Sequence, residues 1–506
     1  MWVPRVAVAA GLLVLVAWSF QQRWTLLTAS PFPLGVDGYL YPVELRALLA
    51  HGTLAYPSSP LAFYLLAPFA AATDPITGAK LGAALYGAAI ALPAYGAGAR
   101  LGDGRGAGLV AAVIATTSIG STYLTAEFVQ NGVGLTVALV ALWLGLIAAE
   151  RPTRGRLIAA LGAFAAAWLT HRMAAAFVLA VGIPTSLAGA TAHGRLRGRR
   201  LIYLVAGAVI VLLGALAIGA AVPGRLLSLG DAALARGLLS ATPRWSAPAL
   251  VTPDGELALG HDALLGLGLA GAIGLGLGRR VRPASPTGDD AARRSIANAA
   301  AWPIVLAAIA IGLPVLAVDD REGLGFRLRI AAFVPAALAA AICARTALAQ
   351  LAARHREPAL AALAVALAVV RQPGTRIPGE VVTRPALVSA ALALRGAVPA
   401  GATLIVPERR IAFLLAWYTG APVALRPEAV APDRRYRVLP RHCLGDGSPL
   451  ERALDATRGE PSLPPPLGLH AGHPDGLVLV AEPTWAWVVA RLPADEQARC
   501  QRWPTR

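Results

Sequence analysis

Long apolar runs alternate along the chain with short segments rich in arginine. Several runs reach about 20 residues, the length at which an α-helix crosses the hydrocarbon core of a bilayer. The pattern therefore predicts a polytopic α-helical membrane protein with about eleven transmembrane helices. The predicted spans cover residues 3–20, 78–99, 107–126, 132–149, 156–170, 173–191, 201–222, 262–278, 301–318, 330–350 and 358–371.

Two runs do not have the length of a single span. Residues 60–72 are apolar but too short, so we predict a helix that lies at the outer interface or dips into it. Residues 156–191 are too long for one helix, which rises about 1.5 Å per residue, and must form a hairpin. His171 and Arg172 mark the tip of that hairpin.

The distribution of basic residues predicts the orientation of the spans. With the N-terminus inside, arginines are dense in the short inside loops and sparse in the longer outside segments, as expected for a cytoplasmic excess of positive charge. Arg23, just after the predicted first span, counts as an outside residue in this scheme. We therefore predict an inner-membrane protein with its N-terminus in the cytoplasm.

The composition changes near residue 373, where prolines and charges become frequent. Short strand-like runs alternate there with helical patterns, which predicts a small C-terminal α/β domain on the outer side. The predicted domains are residues 1–372, with an outer loop at 21–77, and residues 373–506. The predicted strands cover 402–406, 422–425, 436–439 and 477–481, and the predicted helices cover 380–397, 408–418 and 484–492.

Aromatic and sulfur-containing side chains add two expectations for the C-terminal domain. Trp485 and Trp487, on its last helix, are expected in the core. Cys443 and Cys500 share an oxidising compartment if the domain lies outside, and either a disulfide or two free thiols fits the sequence.

Composition excludes several classes of function. The 506 residues are 56% hydrophobic and only 14% charged, with a mean hydropathy of +0.60, which excludes a soluble multidomain enzyme, a coiled coil and a disordered scaffold. The net charge of +17 does not indicate a nucleic-acid partner, because the arginines lie in short loops between apolar runs. The sequence contains no GxxxxGK[ST], HExxH or CxxC motif.

Acidic residues near spans are costly unless they pair, reach water or take part in a reaction. Asp37 follows a Pro- and Gly-rich approach in the first outer loop, and Glu127 lies at the outer end of the third span. Between them, residues 43–49 suit a short amphipathic interfacial helix that Gly52 would end.

The order of Asp37, the helix ELRALLAHGTL, the dipeptide YP and PLAFYLLAPFAA resembles the first periplasmic loop of GT-C glycosyltransferases. The resemblance is to the protein mannosyltransferase and lipid A aminoarabinose transferase family, and more distantly to the oligosaccharyltransferase catalytic subunit. Glu127, in TAEFVQNG, matches the position of a second acid in such enzymes. Here Gly38 follows the first acid where many members have Glu, and Ser58-Ser59-Pro60-Leu61 replaces Lys-Pro-Pro-Leu.

The resemblance implies an enzyme that takes sugar from a polyprenyl-phosphate carrier on the outer face and inverts the sugar's stereochemistry. Asp37 is the candidate base, and Glu127 would orient the acceptor or share a divalent cation, Mg²⁺ or Mn²⁺, with Asp37. The non-catalytic alternatives are that Asp37 only forms a turn and that Glu127 is simply exposed at a helix end. The candidate phosphate ligands, each of which can equally be a snorkelling or interfacial residue, are His171, Arg172, Arg321, Arg327 and Arg329.

The first loop also supplies Tyr39, Glu44 and Arg46 as candidate contacts for an acceptor, which would be a glycan, a lipid or a protein. The sequence thus predicts an integral membrane glycosyltransferase. A secondary transporter or lipid-linked glycan flippase is the non-enzymatic alternative, and a polymerase or ligase of lipid-linked glycans is a second enzymatic one. Transporters usually carry midplane charges and two related halves, which the sequence does not show.

Overall fold

A computed structural model describes much of the chain and divides it into two compact units. The first, here the helical unit, comprises Met1–Ala29, Tyr56–Thr73 and Thr77–Glu380, and the second, the mixed unit, comprises Ser30–Ala55, Asp74–Ile76 and Val381–Arg506. This division differs from the predicted domains, because most of the first outer loop groups with the C-terminal residues. The described residues are 5–56, 58–192, 217, 265–273, 288–312, 324–348, 353–371, 383–440, 448–467 and 477–493.

Fourteen named helices lie between residues 5 and 370 of the described chain. Thirteen of them belong to the helical unit, although α4 begins just before its boundary, and α2 belongs to the mixed unit. Residues 265–273 are also helical. The helices are α1 (Arg5–Thr28), α2 (Leu40–His51), α3 (Leu61–Ala72), α4 (Pro75–Ala89), α5 (Ala91–Leu101), α6 (Arg105–Thr117), α7 (Ile119–Ala126), α8 (Val129–Glu150), α9 (Arg154–Thr170), α10 (Arg172–Ala192), α11 (Gly288–Gly312), α12 (Leu324–Ile330), α13 (Phe333–Ala347) and α14 (Ala353–Val370).

Four helical segments are long and apolar enough to cross a membrane, or five if the bent pair α6 and α7 forms one span. The four are Arg5–Thr28, Pro75–Leu101, Val129–Glu150 and Ala174–Ala192. They indicate a membrane protein, while the count of eleven spans stays a prediction. Most of span 201–222 and parts of the spans at 262–278, 301–318 and 330–350 lie outside the described residues.

The local predictions at the two unusual runs agree with the structure. Residues 61–72 form the short apolar helix α3. The run 156–191 divides into α9 and α10, which meet at His171.

The predicted end of the first span at residue 20 is wrong, because α1 continues to Thr28. Arg23 is consequently not a loop residue: it lies within α1 and only 1% of its surface is exposed. Its burial is possible because neighbouring helices supply hydrogen-bond acceptors for its guanidinium.

The predicted span 107–126 is also not a single straight helix. Its two halves, α6 and α7, meet at an angle of 48°. Ser118 has extended backbone angles, φ −68° and ψ 137°, and its hydroxyl accepts a hydrogen bond from the N–H of Ser121. The hydroxyls of Thr116 and Thr117 donate to carbonyls four residues earlier, a pattern that bends helices.

The mixed unit contains the small sheet predicted from the sequence. Its strands are β1 (Thr403–Ile405), β2 (Val423–Ala424), β3 (Arg435–Pro440) and β4 (Leu477–Ala481), in the order β2-β1-β3-β4. Strand β1 pairs in parallel with β2 and β3, and β3 pairs antiparallel with β4. The remaining named α-helices of this part are α15 (Pro385–Leu394), α16 (Arg409–Thr419), α17 (Pro449–Ala456) and α18 (Glu482–Val489).

The core of the mixed unit confirms the prediction for Trp485, which is buried, while Trp487 is partly buried against the same cluster. Apolar side chains from two strands and two helices surround Trp485, as expected for residues that gain about 1.5–3 kcal/mol each from burial. The cluster comprises Leu439, Leu450, Leu454, Val478, Val480, Trp485, Val488 and Leu492. Cys443 and Cys500 lie outside the described residues, and Cys343 forms no disulfide within the described part of the chain.

Candidate functional site

Asp37 lies in a tight turn of the mixed unit. The N–H of Gly38 donates to the carbonyl of Gly35, and the N–H of Leu40 donates to the carbonyl of Asp37 as α2 begins. A Cβ at position 38 would collide with the carbonyl oxygen of Leu34, so the glycine after the acid is a steric requirement of this turn. Asp37 is therefore a turn residue as well as a candidate base.

The carboxylate of Asp37 faces a cation that the sequence did not suggest. Its Oδ1 lies 2.7 Å from Nε of Arg409, the first residue of α16, and the Asp37 side chain is 8% exposed. Arg409 also lies over the ring of Phe413, 5.8 Å from its centroid. An ion pair at this depth exists only where each charge offsets the desolvation of the other.

The first loop contacts α16 at its other end too. Arg46 donates to the carbonyls of Trp417 (2.8 Å) and Ala416 (2.9 Å), which the helix end would otherwise leave without a partner, and its guanidinium lies 4.5 Å from the Trp417 ring centroid. A cation at a helix C-terminus is also favoured by the helix dipole. The first loop therefore holds α16 at both ends.

Tyr39 and Glu44 are buried inside the mixed unit, 1% and 0% exposed. The hydroxyl of Tyr39 lies 3.2 Å from that of Tyr418, and burial, followed by this hydrogen bond, raises the pKa of Tyr39 above its usual range. Glu44 accepts a hydrogen bond from the N–H of Ala55 at 2.6 Å. These contacts give both residues, like Arg46, a structural role, and their predicted contact with an acceptor stays a prediction.

Glu127 lies in the helical unit at the C-terminal end of α7. Its N–H donates to the carbonyl of Tyr123, and Phe128 alone separates it from the start of α8. Glu127 is only 2% exposed. The structure thus buries a carboxylate in the two-residue connection between the broken span and the following helix.

Three other segments of the helical unit contact residues 128 and 130 at this connection. The guanidinium of Arg327, on α12, lies 5.4 Å from the Phe128 ring centroid. The side-chain amide of Gln130 donates to the carbonyls of Ser59 (3.1 Å) and Thr170 (3.4 Å). The connection, α12, the α9–α10 turn and residues 58–59 therefore meet at one place.

His171, at the α9–α10 turn, responds electrostatically to the same cluster. Burial, and then the positive charges of Arg327 and Arg172, lower the pKa of His171 to about 4. The imidazole is therefore neutral near pH 7 and can accept or donate a hydrogen bond. The structure thus places two of the five predicted phosphate ligands, Arg172 and Arg327, close enough to a third, His171, to affect its pKa.

Arg329 is 4% exposed, and within the described residues its Nε and Nη2 atoms have no hydrogen-bond partner. Buried polar atoms are normally paired, so these two atoms make Arg329 a candidate to bind an anion. Arg321, the fifth predicted ligand, lies outside the described residues.

The predicted divalent site between Asp37 and Glu127 stays a prediction, because the two acids belong to different units. Among the described residues no group of three His, Cys, Asp or Glu side chains is placed to hold a metal ion. The donor set fits a hard cation only in part, since Oδ1 of Asp37 faces a guanidinium.

Sequence reasoning missed Arg23 and Arg409. Arg23 is a charged residue that follows the apolar run of α1 and precedes Trp24, Leu26 and Leu27, which is a usable signal for a polar contact inside a bundle. Arg409 stands in the pattern Glu-Arg-Arg at a helix start and gave no signal for a partner 372 positions earlier, because that contact depends on the tertiary fold.

Comparison with known proteins assigns the chain to no family. The chain matches no protein-family model, and the search of curated proteins gives no match.

Proposed function

We propose that the protein is an integral membrane glycosyltransferase of GT-C type that moves a sugar from a polyprenyl-phosphate donor to an extracytoplasmic glycan, lipid or protein. The observation that carries the proposal is the cluster at the α7–α8 connection. There a buried carboxylate, Glu127, lies in the same small region as Arg327, His171 and Arg172. The apolar helices around it suit a donor with a lipid tail.

The chemistry needs groups of both signs. An acceptor hydroxyl must lose a proton while the sugar–phosphate bond breaks, and the departing phosphate gains negative charge that nearby cations stabilise. Arg327 and Arg329 offer planar guanidinium groups, which can contact phosphate in a bidentate way. Neutral His171 adds a hydrogen-bond donor without a further charge.

In this proposal Asp37 takes the acceptor proton and Glu127 orients the acceptor hydroxyl. Arg409 stabilises the negative charge of Asp37 and fixes the direction of the carboxylate. The proposal also requires each of the two acids to lie on the outer side of the cytoplasmic membrane, with the N-terminus in the cytoplasm.

The proposal is tested by incubating the purified full chain in proteoliposomes with polyprenyl phosphates that carry radiolabelled hexoses or pentoses. We expect label to become covalently attached to an acceptor from a cell-envelope extract, and Asp37→Asn to abolish that attachment. An Asp37→Asn protein that folds normally and transfers label at the wild-type rate would contradict the assignment of the base.

A transporter or lipid-linked glycan flippase is the second candidate, and the break between α6 and α7 favours it. Broken helices commonly form the central sites of secondary transporters. The same proteoliposomes separate the two functions. A flippase moves labelled lipid between leaflets with no new covalent product, whereas the proposed enzyme makes a product and leaves a free polyprenyl phosphate.

A further inference from the structure

Arg23 is buried in the helical unit and takes no part in the reaction as proposed. Its guanidinium makes five hydrogen bonds, as many as its five N–H groups allow. Nε donates to Oγ1 of Thr125 (3.3 Å), and Nη2 donates to the carbonyl of Thr116 (3.0 Å) and to Oγ of Ser121 (2.9 Å). Nη1 donates to the carbonyl and to the hydroxyl of Ser19, on its own helix.

These acceptors lie on both sides of the break between α6 and α7. In an uninterrupted helix the carbonyl of Thr116 would pair with the N–H of residue 120, and the extended backbone at Ser118 interrupts that ladder. Arg23 supplies a donor to this carbonyl. It also contacts Ser121 and Thr125, which are four positions apart and share one face of α7.

A second helix leaves room for this arrangement. On α4, a Cβ at Gly87 would collide with Oγ1 of Thr125 and would lie 2.9 Å from Nε of Arg23. The absence of a side chain at position 87 is therefore what allows Arg23 to reach Thr125. Arg23 on α1 and Gly87 on α4 thus both contribute to one contact with Thr125 on α7.

The contact lies close to the candidate site along the chain. Thr125 is two residues before Glu127, and α7 is only eight residues long. Because all described acceptors of Arg23 are neutral, its charge is not offset by a carboxylate there, and an uncompensated buried charge is costly to keep. A contact that served stability alone could be made by uncharged side chains, without the cost of burying a charge.

We propose that Arg23 is a positioning residue for Glu127: it fixes the direction and depth of α7 after the break and so holds the carboxylate in its working place. The effect of Arg23 on catalysis rests on the proposed function. Its effect on the position of α7 is a separate claim that can be measured without any substrate.

The experiment combines hydrogen exchange and kinetics on the full chain in lipid nanodiscs, with Arg23→Met, Arg23→Lys and, as a matched control, Arg5→Met. Arg5 is an exposed arginine at the start of the same helix. In Arg23→Met we expect faster amide exchange confined to residues 116–128, a kcat for sugar transfer about 100-fold lower and a donor KM within about twofold. Arg23→Lys should recover part of both losses, and Arg5→Met should match wild type.

If Arg23→Met does not fold, Ser121→Ala, Thr125→Val and Gly87→Ala disturb the same contact while keeping the arginine, and each should produce a smaller version of the same effects. Unchanged exchange in residues 116–128 in a folded variant would overturn the inference. A wild-type protein that transfers no sugar would overturn the proposed function, while the exchange data would still decide whether Arg23 holds α7. Faster exchange without a selective loss of kcat in an active enzyme would reduce Arg23 to a structural residue and overturn its positioning role.

Discussion

Asp37 and Glu127 are both buried acids, 6% and 2% exposed, yet their surroundings differ. Asp37 lies in a turn of the mixed unit and faces one arginine, whose helix is held by the same loop through Arg46. Glu127 lies at a break in the helical unit, in a region that gathers several cations. The comparison teaches that similar burial can come with different electrostatic surroundings. Asp37 pairs directly with Arg409, whereas the arginines near the α7–α8 connection lie around the neutral His171.

The strongest test of this difference is donor binding. Arg327→Gln and Arg329→Gln should each weaken the binding of an unreactive polyprenyl phosphate by about tenfold or more, because each removes a charge-assisted hydrogen bond to phosphate. Arg409→Gln should leave this affinity within about twofold. Equilibrium binding of a fluorescent polyprenyl phosphate to the protein in nanodiscs measures all three. Equal losses in all three variants would remove the distinction between the two regions.

The pairing of Asp37 with Arg409 predicts a coupled effect on stability. Asp37→Asn and Arg409→Gln should each lower the free energy of unfolding of the mixed unit by about 2 kcal/mol, since each leaves a poorly solvated partner, and the partial exposure of Arg409 limits the loss. The double variant should lose clearly less than the sum. Arg395→Gln, at an exposed arginine of the same unit, is the control, expected to change stability by about 0.5 kcal/mol or less. Additive losses in denaturant unfolding would show that the pair is not coupled.

The lowered pKa of His171 predicts a dependence on pH at the cation-rich region. A folded-state pKa of about 4, below the ordinary value of about 6.5, means that the unfolded chain binds the proton more tightly. The stability linked to neutral His171 is therefore complete above about pH 6.5 and is lost as the pH falls toward 4. Thermal unfolding from pH 7 to pH 4 should show a smaller decline in His171→Gln than in wild type. Identical declines in the two proteins would contradict the assignment.

The smallest expected effect concerns Tyr39. Tyr39→Phe and Tyr418→Phe should each cost about 1 kcal/mol, because each removes one hydroxyl of a buried hydrogen-bonded pair. The aromatic contact, with ring centroids 5.7 Å apart, is kept in both variants. Sugar transfer at saturating donor should remain near the wild-type rate. A large loss of transfer in Tyr39→Phe alone would restore the prediction that Tyr39 contacts the acceptor.

Local patterns predicted much of the fold. The four strands of the mixed unit, the hairpin turn at His171 and the end of α2 at Gly52, which has φ +72°, all follow from short-range rules of alternation, helix length and glycine conformation. These features depend on residues within a few positions of one another. That is why a single sequence suffices for them.

The features that the sequence did not predict depend on distant contacts. Residues 107–126 contain no charged side chain, so the stretch is predicted as one span without the break at Ser118, where Arg23 of α1 donates to the carbonyl of Thr116. The grouping of the first loop with the C-terminal residues likewise depends on Arg409 and on carbonyls at the end of α16. For the candidate site, the sequence pointed to the two acids and to most of the cations. It did not point to Arg409, which pairs with Asp37, or to Arg23, which contacts α7.

The most direct measurement compares Glu127→Gln with Glu150→Gln in single-turnover sugar transfer. The two acids flank the same helix, α8, and Glu150 pairs with Arg100 and Arg293 at its other end, so the two variants remove one buried charge each. We predict that Glu127→Gln slows transfer about 1,000-fold and that Glu150→Gln stays within about threefold of wild type. Wild-type turnover in a folded Glu127→Gln protein would contradict the central claim that Glu127, at the α7–α8 connection, takes part in sugar transfer.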